Sequence, residues 1–484
     1  MRKPKAGFFL LAPASFKTIG EGTARGSYAQ RKAEEAAWMV RTAGETMDVF
    51  FPGVIYTAED ARQAVRTFVR EEVDCVLVLF LSWSQDFALN RFLRDMPPVP
   101  MLYAWCMRDS VSLGDTHDED EFAEYLCCGG LVGSLEGSGD VARYQRPMLR
   151  TVSGTWPELQ VRLNAFANAA RARALLRESH VGLLASYNEI MWSTYIDPYS
   201  VFMQVGPELN FLSVAELCDL IDAVPEEEVD AKEAKLREKY PVRPDVEEEK
   251  FRASIRASIG MEQQAAIHGT ELLVLNDVDK ILFEKVGLRP GFYPTDESVR
   301  TVIVPEGDVG AGLASYMLRL LTGGHIHFIE PFHVDLPSDT FEGGHAGPND
   351  YTAPGGRTQI ARDVRFAKTG YRYAGAPFAW HVFPEGLHTM VHLSQRNGKF
   401  VMANSFFHDN YNDQTYFTGG QGVIVNNIFA DSGNAADGGE AINVKSGCKL
   451  DVANNLIYNA CTNALKLSNA GNSEAVPLTD MTVY

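Results

Sequence analysis

Ala58-Glu-Asp-Ala-Arg-Gln-Ala-Val-Arg-Thr-Phe-Val-Arg-Glu-Glu72, followed by Cys75-Val-Leu-Val-Leu-Phe80, decides the fold class. The first stretch carries apolar residues at helical spacing. The second is an unbroken apolar run, short enough for a strand buried on both faces. An amphipathic helix feeding such a strand is the repeating unit of a doubly wound sheet. Working outward, Phe8–Leu11, Asp48–Phe51 and Pro100–Tyr103 read as further parallel strands, and Trp156–Glu178 as a helix after them. No GxGxxG motif follows the first strand, so no dinucleotide site is indicated.

A second α/β unit opens near His180. Val181–Leu184, Leu272–Leu275 and Thr301–Val304 read as its strands, and the charge-rich run from Pro225 to Lys250 as a solvated helix face continued by Phe251–His268. A third region, from about Leu321 to Met402, is strand-rich, with Ile326–Ile329, Gln359–Phe366 and Leu387–Leu393 expected as strands. After it the charged residues thin out, and Asn, Gly and Ala dominate. Met402-Ala-Asn404-Ser405-Phe406-Phe407, Ile424-Val-Asn426-Asn427-Ile428-Phe429 and Val452-Ala-Asn454-Asn455-Leu456-Ile457 repeat one motif at intervals of 22 and 28 residues. An asparagine beside a short apolar strand at such a period predicts a right-handed parallel β-helix with stacked asparagines. An irregular Asn/Gly-rich tail is the plainer alternative. Three coils with no capping segment at Tyr484 suggest an end in mid-repeat. The expected architecture is therefore α/β: Rossmann-like domains at 1–178 and 179–320, a partial strand-rich domain at 321–403, and β-helix-like repeats at 404–484.

The chain has 484 residues, 45% hydrophobic and 22% charged, an ordinary globular balance that supports several domains. A formal charge of −19 argues against binding nucleic acid or an anionic membrane through net charge. Seven scattered cysteines without a CxxC pair read as reduced thiols in a cytoplasmic protein. The basic start and short apolar run Ala6–Ala12 also fit a signal peptide, but the strand–helix alternation that follows directly favours a first buried strand. No apolar run is long enough for a transmembrane helix.

The chemistry concentrates after the Thr301–Val304 strand. Val304-Pro-Glu306-Gly-Asp308-Val-Gly310 puts two carboxylates at a strand C-terminus where a helix begins, the usual place for a site in such folds. Gly323-Gly-His325-Ile-His327-Phe-Ile-Glu330 follows, then Glu342-Gly-Gly-His345-Ala-Gly347, and seven of the eleven histidines fall between 325 and 392. Carboxylates with a histidine suit a divalent metal such as Mn²⁺ and can also move protons. For Glu306 the plainer reading is a helix-capping acidic turn, for Glu330 a strand-end salt bridge, and for His345 a surface-loop residue. His325 and His327 suggest a second metal or, more simply, polar neighbours of a site. His381, His388 and His392 are candidates to line the pocket. Trp83, Gln85 and the run Cys127-Cys-Gly-Gly are candidates to reach a sugar, and Met191 and Trp192 to wall the pocket.

Glu-Gly-Asp after a strand, a glutamate ending the next strand and a Gly-rich turn bearing a histidine resemble the metal site of L-arabinose isomerases. Over residues ~1–403 the chain resembles the L-fucose/L-arabinose isomerase family, and Arg362–Gly370 and Phe378–His388 look like a branch of it. The resemblance implies Mn²⁺ or another divalent metal on Glu306, Glu330 and His345. It also implies acid/base roles for Glu306 and Glu330, an orienting role for Asp308, a small aldose as substrate and a homo-oligomer. The family's histidine pair late in the third domain has no counterpart here; only His408 lies beyond Met402, in a different context. A missing protein ligand weakens metal binding unless water fills its place. The alternative is a sugar-binding or polysaccharide-acting β-helix fused to an inert α/β body, with Asp431, Asp437 and Glu440 as its candidate acids.

Overall fold

The computed structural model describes residues 2–108, 110–111, 114–282, 301–324, 326–338, 340–345, 362–368, 377–382, 390–396, 399–407, 415–417, 420–425, 427–430, 440–445, 448–453, 455–458, 460–468 and 480–483. It divides into two compact units, Met1–Leu175 and Leu176–Tyr484.

The first unit is an α/β layer structure. Strands β1 (Lys5–Leu11), β2 (Asp48–Phe50), β3 (Cys75–Phe80), β4 (Met101–Cys106) and β5 (Leu149–Gly154) form one parallel sheet in the order β2-β1-β3-β4-β5. Between and after them run α1 (Tyr28–Ala43), α2 (Ala58–Arg70), α3 (Asp86–Asp95), α4 (Glu119–Cys127), α5 (Gly130–Tyr144) and α6 (Trp156–Arg177). The unbroken apolar runs are explained by burial on both faces. Ala6, Phe8, Leu10, Cys75, Leu77 and Leu79 pack with the apolar stripes of α1 and α6. The alternate residues Phe9, Leu11, Val76, Val78 and Phe80 pack with those of α2 and α3. Each large side chain so buried contributes about 1.5–3 kcal/mol. Capping boxes at Ser27/Gln30 and Thr57/Asp60 start α1 and α2.

In the second unit, β6 (His180–Leu184), β7 (Glu208–Phe211), β8 (Leu272–Leu275) and β9 (Val302–Val304) form a parallel sheet in the order β7-β6-β8-β9. Its helices are the single turn α7 (Pro198–Ser200), α8 (Val214–Ala223), α9 (Glu226–Lys239), α10 (Glu248–Ile267) and α11 (Val309–Thr322). The charge run is helical as expected, but it breaks into α9 and α10 around Pro241 and Pro244, which cannot donate backbone hydrogen bonds within a helix. No helix among the described residues is long and apolar enough to cross a membrane.

The strand expected at Ile326–Ile329 is not there. The strand is instead β10 (Glu330–Asp335), paired antiparallel with β11 (Thr340–Gly344), so Glu330 begins a strand rather than ending one. Among the described residues, pairing ends at Glu330 opposite Gly344, and residues 326–329 are outside any strand. β12 (Arg362–Ala367) and β13 (Phe378–Val382) form a second antiparallel pair.

Downstream, β14 (Met390–Arg396) pairs antiparallel with β15 (Lys399–Phe407). The remaining strands are β16 (Thr415–Phe417), β17 (Gly420–Val425), β18 (Ile428–Ala430), β19 (Glu440–Lys445), β20 (Cys448–Ala453), β21 (Leu456–Tyr458), β22 (Asn463–Ser468) and β23 (Asp480–Val483). All of their pairings are parallel. Ala403 lies beside Val425 and Val425 beside Ala453, while Phe406 lies beside Ile428 and Ile428 beside Leu456. These are the repeat intervals of the sequence. Ile424, Phe429, Ala441, Ile442 and Val452 share a buried cluster. The asparagine contacts fall on the second Asn of each pair: the backbone N–H and Nδ2 of Asn427 both donate to Asn455 Oδ1 at 3.0 Å, and Asn455 Nδ2 donates to the Ile424 carbonyl at 2.8 Å. Asn426 and Asn454 lie outside the described residues. Replacing Asn455 with Ala removes the Oδ1 acceptor shared by the two Asn427 donors, and is expected to cost about 1–3 kcal/mol in urea unfolding. An unchanged midpoint would show that this ladder carries no stability.

Candidate active site

The site is built where β9 ends. Val302, Ile303 and Val304 are buried between sheet neighbours and helices, and the chain then turns through Pro305-Glu306-Gly307-Asp308 into α11. Asp308 caps that helix: its Oδ1 accepts the Ala311 N–H at 2.8 Å. Glu306 and Gly307 both have left-handed backbone, with φ of 65° and 66°. For a glutamate this costs on the order of 1–3 kcal/mol and persists only where the surroundings hold it.

His345, immediately after β11, is half-buried with its side chain largely covered, and it meets Glu306: Nε2 stands 3.1 Å from Glu306 Oε1. Phe328 meets the imidazole edge to face, with ring centroids 4.9 Å apart. Burial pulls the His345 pKa down, but the hydrogen bond to Glu306 and the charges of Glu306, Asp277 and Glu330 outweigh it, so the pKa is raised. Its Nδ1 is buried with no hydrogen-bond partner among the described residues. Glu330, opposite Gly344 in the ladder, is exposed and acts on His345 through its charge.

The expected residues therefore assemble in part. Glu306 and His345 meet, with Glu330 beside them on the neighbouring strand. Among the described residues no group of three His, Cys, Asp or Glu side chains is disposed to hold a metal ion. The donor chemistry nevertheless fits one. Two ligands about 2.1 Å from one octahedral ion, at right angles, stand about 3.0 Å apart. The Glu306–His345 separation is compatible with that, and His345 Nδ1 is buried with no hydrogen-bond partner among the described residues. Asp308 turns its carboxylate toward the helix and toward His392, whose Nε2 is 3.0 Å from Oδ2. His327 stacks on His381 at 5.6 Å. His325 and His388 lie outside the described residues.

Met191 is half-buried and Trp192 is exposed, both on the segment after β6. Trp83 and Gln85 belong to the first unit. Trp83 donates to Glu136 Oε2 at 2.5 Å, and Gln85 is the exposed residue before α3. Cys127 is buried at the end of α4, its carbonyl accepting from the buried Lys32 ammonium. Glu440 is buried and bonded to Asn443 and Thr462; Asp431 and Asp437 lie outside the described residues.

Sequence reasoning did not find Asp277, Asn188 or Asn276. All three are buried beyond the ends of β6 and β8: Asp277 and Asn188 hydrogen-bond the Glu306 backbone, and Asn276 donates to Ser186 and to the Tyr187 carbonyl. In comparisons with known proteins, the chain matches no family model and no curated protein.

Proposed function

We propose that the chain is a cytoplasmic aldose–ketose isomerase of the L-fucose/L-arabinose isomerase kind, acting on a small sugar. The observation that carries this reading is the Glu306–His345 contact in a buried turn at the C-terminal end of a parallel strand. A carboxylate there, beside an imidazole, is equipped to take a proton from a carbon next to a carbonyl. Glu306 takes the C2 proton of the open-chain aldose. Glu330 gives a proton to O1 as the C2–H bond breaks, forming the enediol, and then takes the proton of the C2 hydroxyl while Glu306 returns its proton to C1, so that a C1–H bond forms and C2 becomes the carbonyl. In the metal-free site His345 donates toward the Glu306 carboxylate and holds its orientation. A divalent ion such as Mn²⁺, held by Glu306, His345 and Glu330, would supply electrostatic stabilisation of the charge on the sugar oxygens. A homo-oligomer belongs to the same reading.

The test is ketose formation from a panel of aldopentoses and 6-deoxyhexoses after chelator treatment, with and without added Mn²⁺. Ketose that appears only with the metal is the expected result. A folded, Mn²⁺-supplied protein that converts none of the panel would overturn the reading.

The parallel pairing at 22 and 28 residues, with the Asn427–Asn455 contacts, supports a second assignment for the C-terminal segment: a short right-handed parallel β-helix. Its function would be sugar binding or action on a polysaccharide. Retention of the full chain on an immobilised acidic polysaccharide, unaffected by Mn²⁺, would favour this second role; no retention would count against it.

A further inference from the structure

Glu306 lies in a backbone conformation that its residue type disfavours, and the surrounding bonds show what holds it there. Asp277, in the turn after β8, accepts the Glu306 N–H through Oδ1 at 2.9 Å. Asn188, after β6, donates through Nδ2 to the Glu306 carbonyl at 3.0 Å. The next amide, Gly307 N–H, donates to the Leu275 carbonyl at 3.0 Å. Both Asp277 and Asn188 are fully buried. Asn188 is itself anchored, its Oδ1 accepting the Ile190 N–H at 3.0 Å. A side chain at Gly307 would come within 3.1 Å of the Asn188 amide nitrogen, so the second residue of the turn must be glycine.

A turn needed only to connect β9 to α11 would place Gly or Asn at the first left-handed position as well. Here that position carries a glutamate whose carboxylate meets His345. With the ordinary negative φ, its Cβ would point elsewhere.

We infer that Asp277 and Asn188 are positioning residues, which grip the N–H and the C=O of Glu306 and so aim its carboxylate at His345. The ends of three neighbouring parallel strands, β6, β8 and β9, thereby act on one side chain. The catalytic consequence rests on the isomerase reading; the grip on the backbone does not.

The experiment compares Asp277→Ala, Asp277→Asn and Asn188→Ala in the full chain. Hydrogen exchange of the 302–310 segment is followed by mass spectrometry, and kcat and KM are measured with Mn²⁺ present. Both alanine variants should speed exchange at Glu306 and Gly307 by about tenfold or more, with the β8 and β9 strand amides unchanged. Turnover should fall roughly 100-fold with KM within about threefold, because the carboxylate is misplaced rather than the sugar lost. Asp277→Asn, whose side-chain oxygen still accepts the N–H, should keep slow exchange and most of the turnover. Unchanged exchange at 306–307 in both alanine variants overturns the inference. So does an Asp277→Asn variant as impaired as Asp277→Ala. If the wild-type chain forms no ketose, the isomerase reading fails alone, and the exchange measurement still decides whether the grip exists.

Discussion

Glu306→Gln is expected to lower isomerase turnover by roughly 10²–10⁴-fold, the range for losing a positioned general base. Glutamine has the same shape, and the bonds that hold residue 306 reach its backbone through Asp277 and Asn188, so the turn should survive. The variant should therefore fold and still fail. Its signature in stability concerns pH. His345 has its pKa raised above the ordinary 6.5 of histidine, against the opposing effect of burial, first by its hydrogen bond to Glu306. A group whose folded-state pKa is raised contributes stability that is complete below the unfolded value and lost as pH rises through the folded one. In metal-free protein, wild type should thus exceed Glu306→Gln in unfolding free energy at pH 5.5, and the gap should narrow by pH 8.5. Urea unfolding at the two pH values measures this. A gap independent of pH would mean that the pair does not form in solution.

The strands that could be read from the sequence are the ones whose surroundings are uniform. β1, β3, β6, β8 and β9 are covered on both faces, so Val, Leu and Phe follow one another without interruption. β5, Leu-Arg-Thr-Val-Ser-Gly, and β7, Glu-Leu-Asn-Phe, each lie at one edge of their sheet, opposite β2 and β9. Their partly exposed faces carry polar residues that resemble loop. Ile326–Ile329 failed in the opposite way. Its apolar character suits a strand, yet among the described residues the β10–β11 ladder begins only at Glu330.

The site divides along a similar line. Glu306 stands in a glycine-marked turn and His345 directly after the two glycines that end β11, a local signal. Asp277 and Asn188 have no such mark, since an Asn or Asp in a loop is commonplace. Their meaning comes from a backbone group 29 and 118 residues away along the chain. Spacing rules reach neighbours on one element, not the ends of three separate strands. Asp308 adds a further limit: its place after Glu306 suggests an orienting partner for that residue, whereas in space it faces Ala311 and His392.

Gly310→Ala should destabilise the protein by about 2–4 kcal/mol, combining overpacking with a lost charged hydrogen bond. The direction is the informative part, because glycine to alanine inside a helix ordinarily stabilises by up to about 1 kcal/mol. Gly310 sits in the first turn of α11, and a Cβ there would run into the Leu393 carbonyl oxygen of β14 and approach His392 Cε1 to 3.1 Å. Neither side can yield cheaply. The helix is fixed by the Asp308 cap and by the fully buried Val309 and Leu313, and the obstruction on β14 is backbone. That strand would have to lift away, taking His392 from Asp308. Denaturant midpoints of wild type and variant decide the matter. A Gly310→Ala protein as stable as wild type, or more so, would show that β14 does not rest on the start of α11. The His392–Asp308 contact would then have to be given up with it.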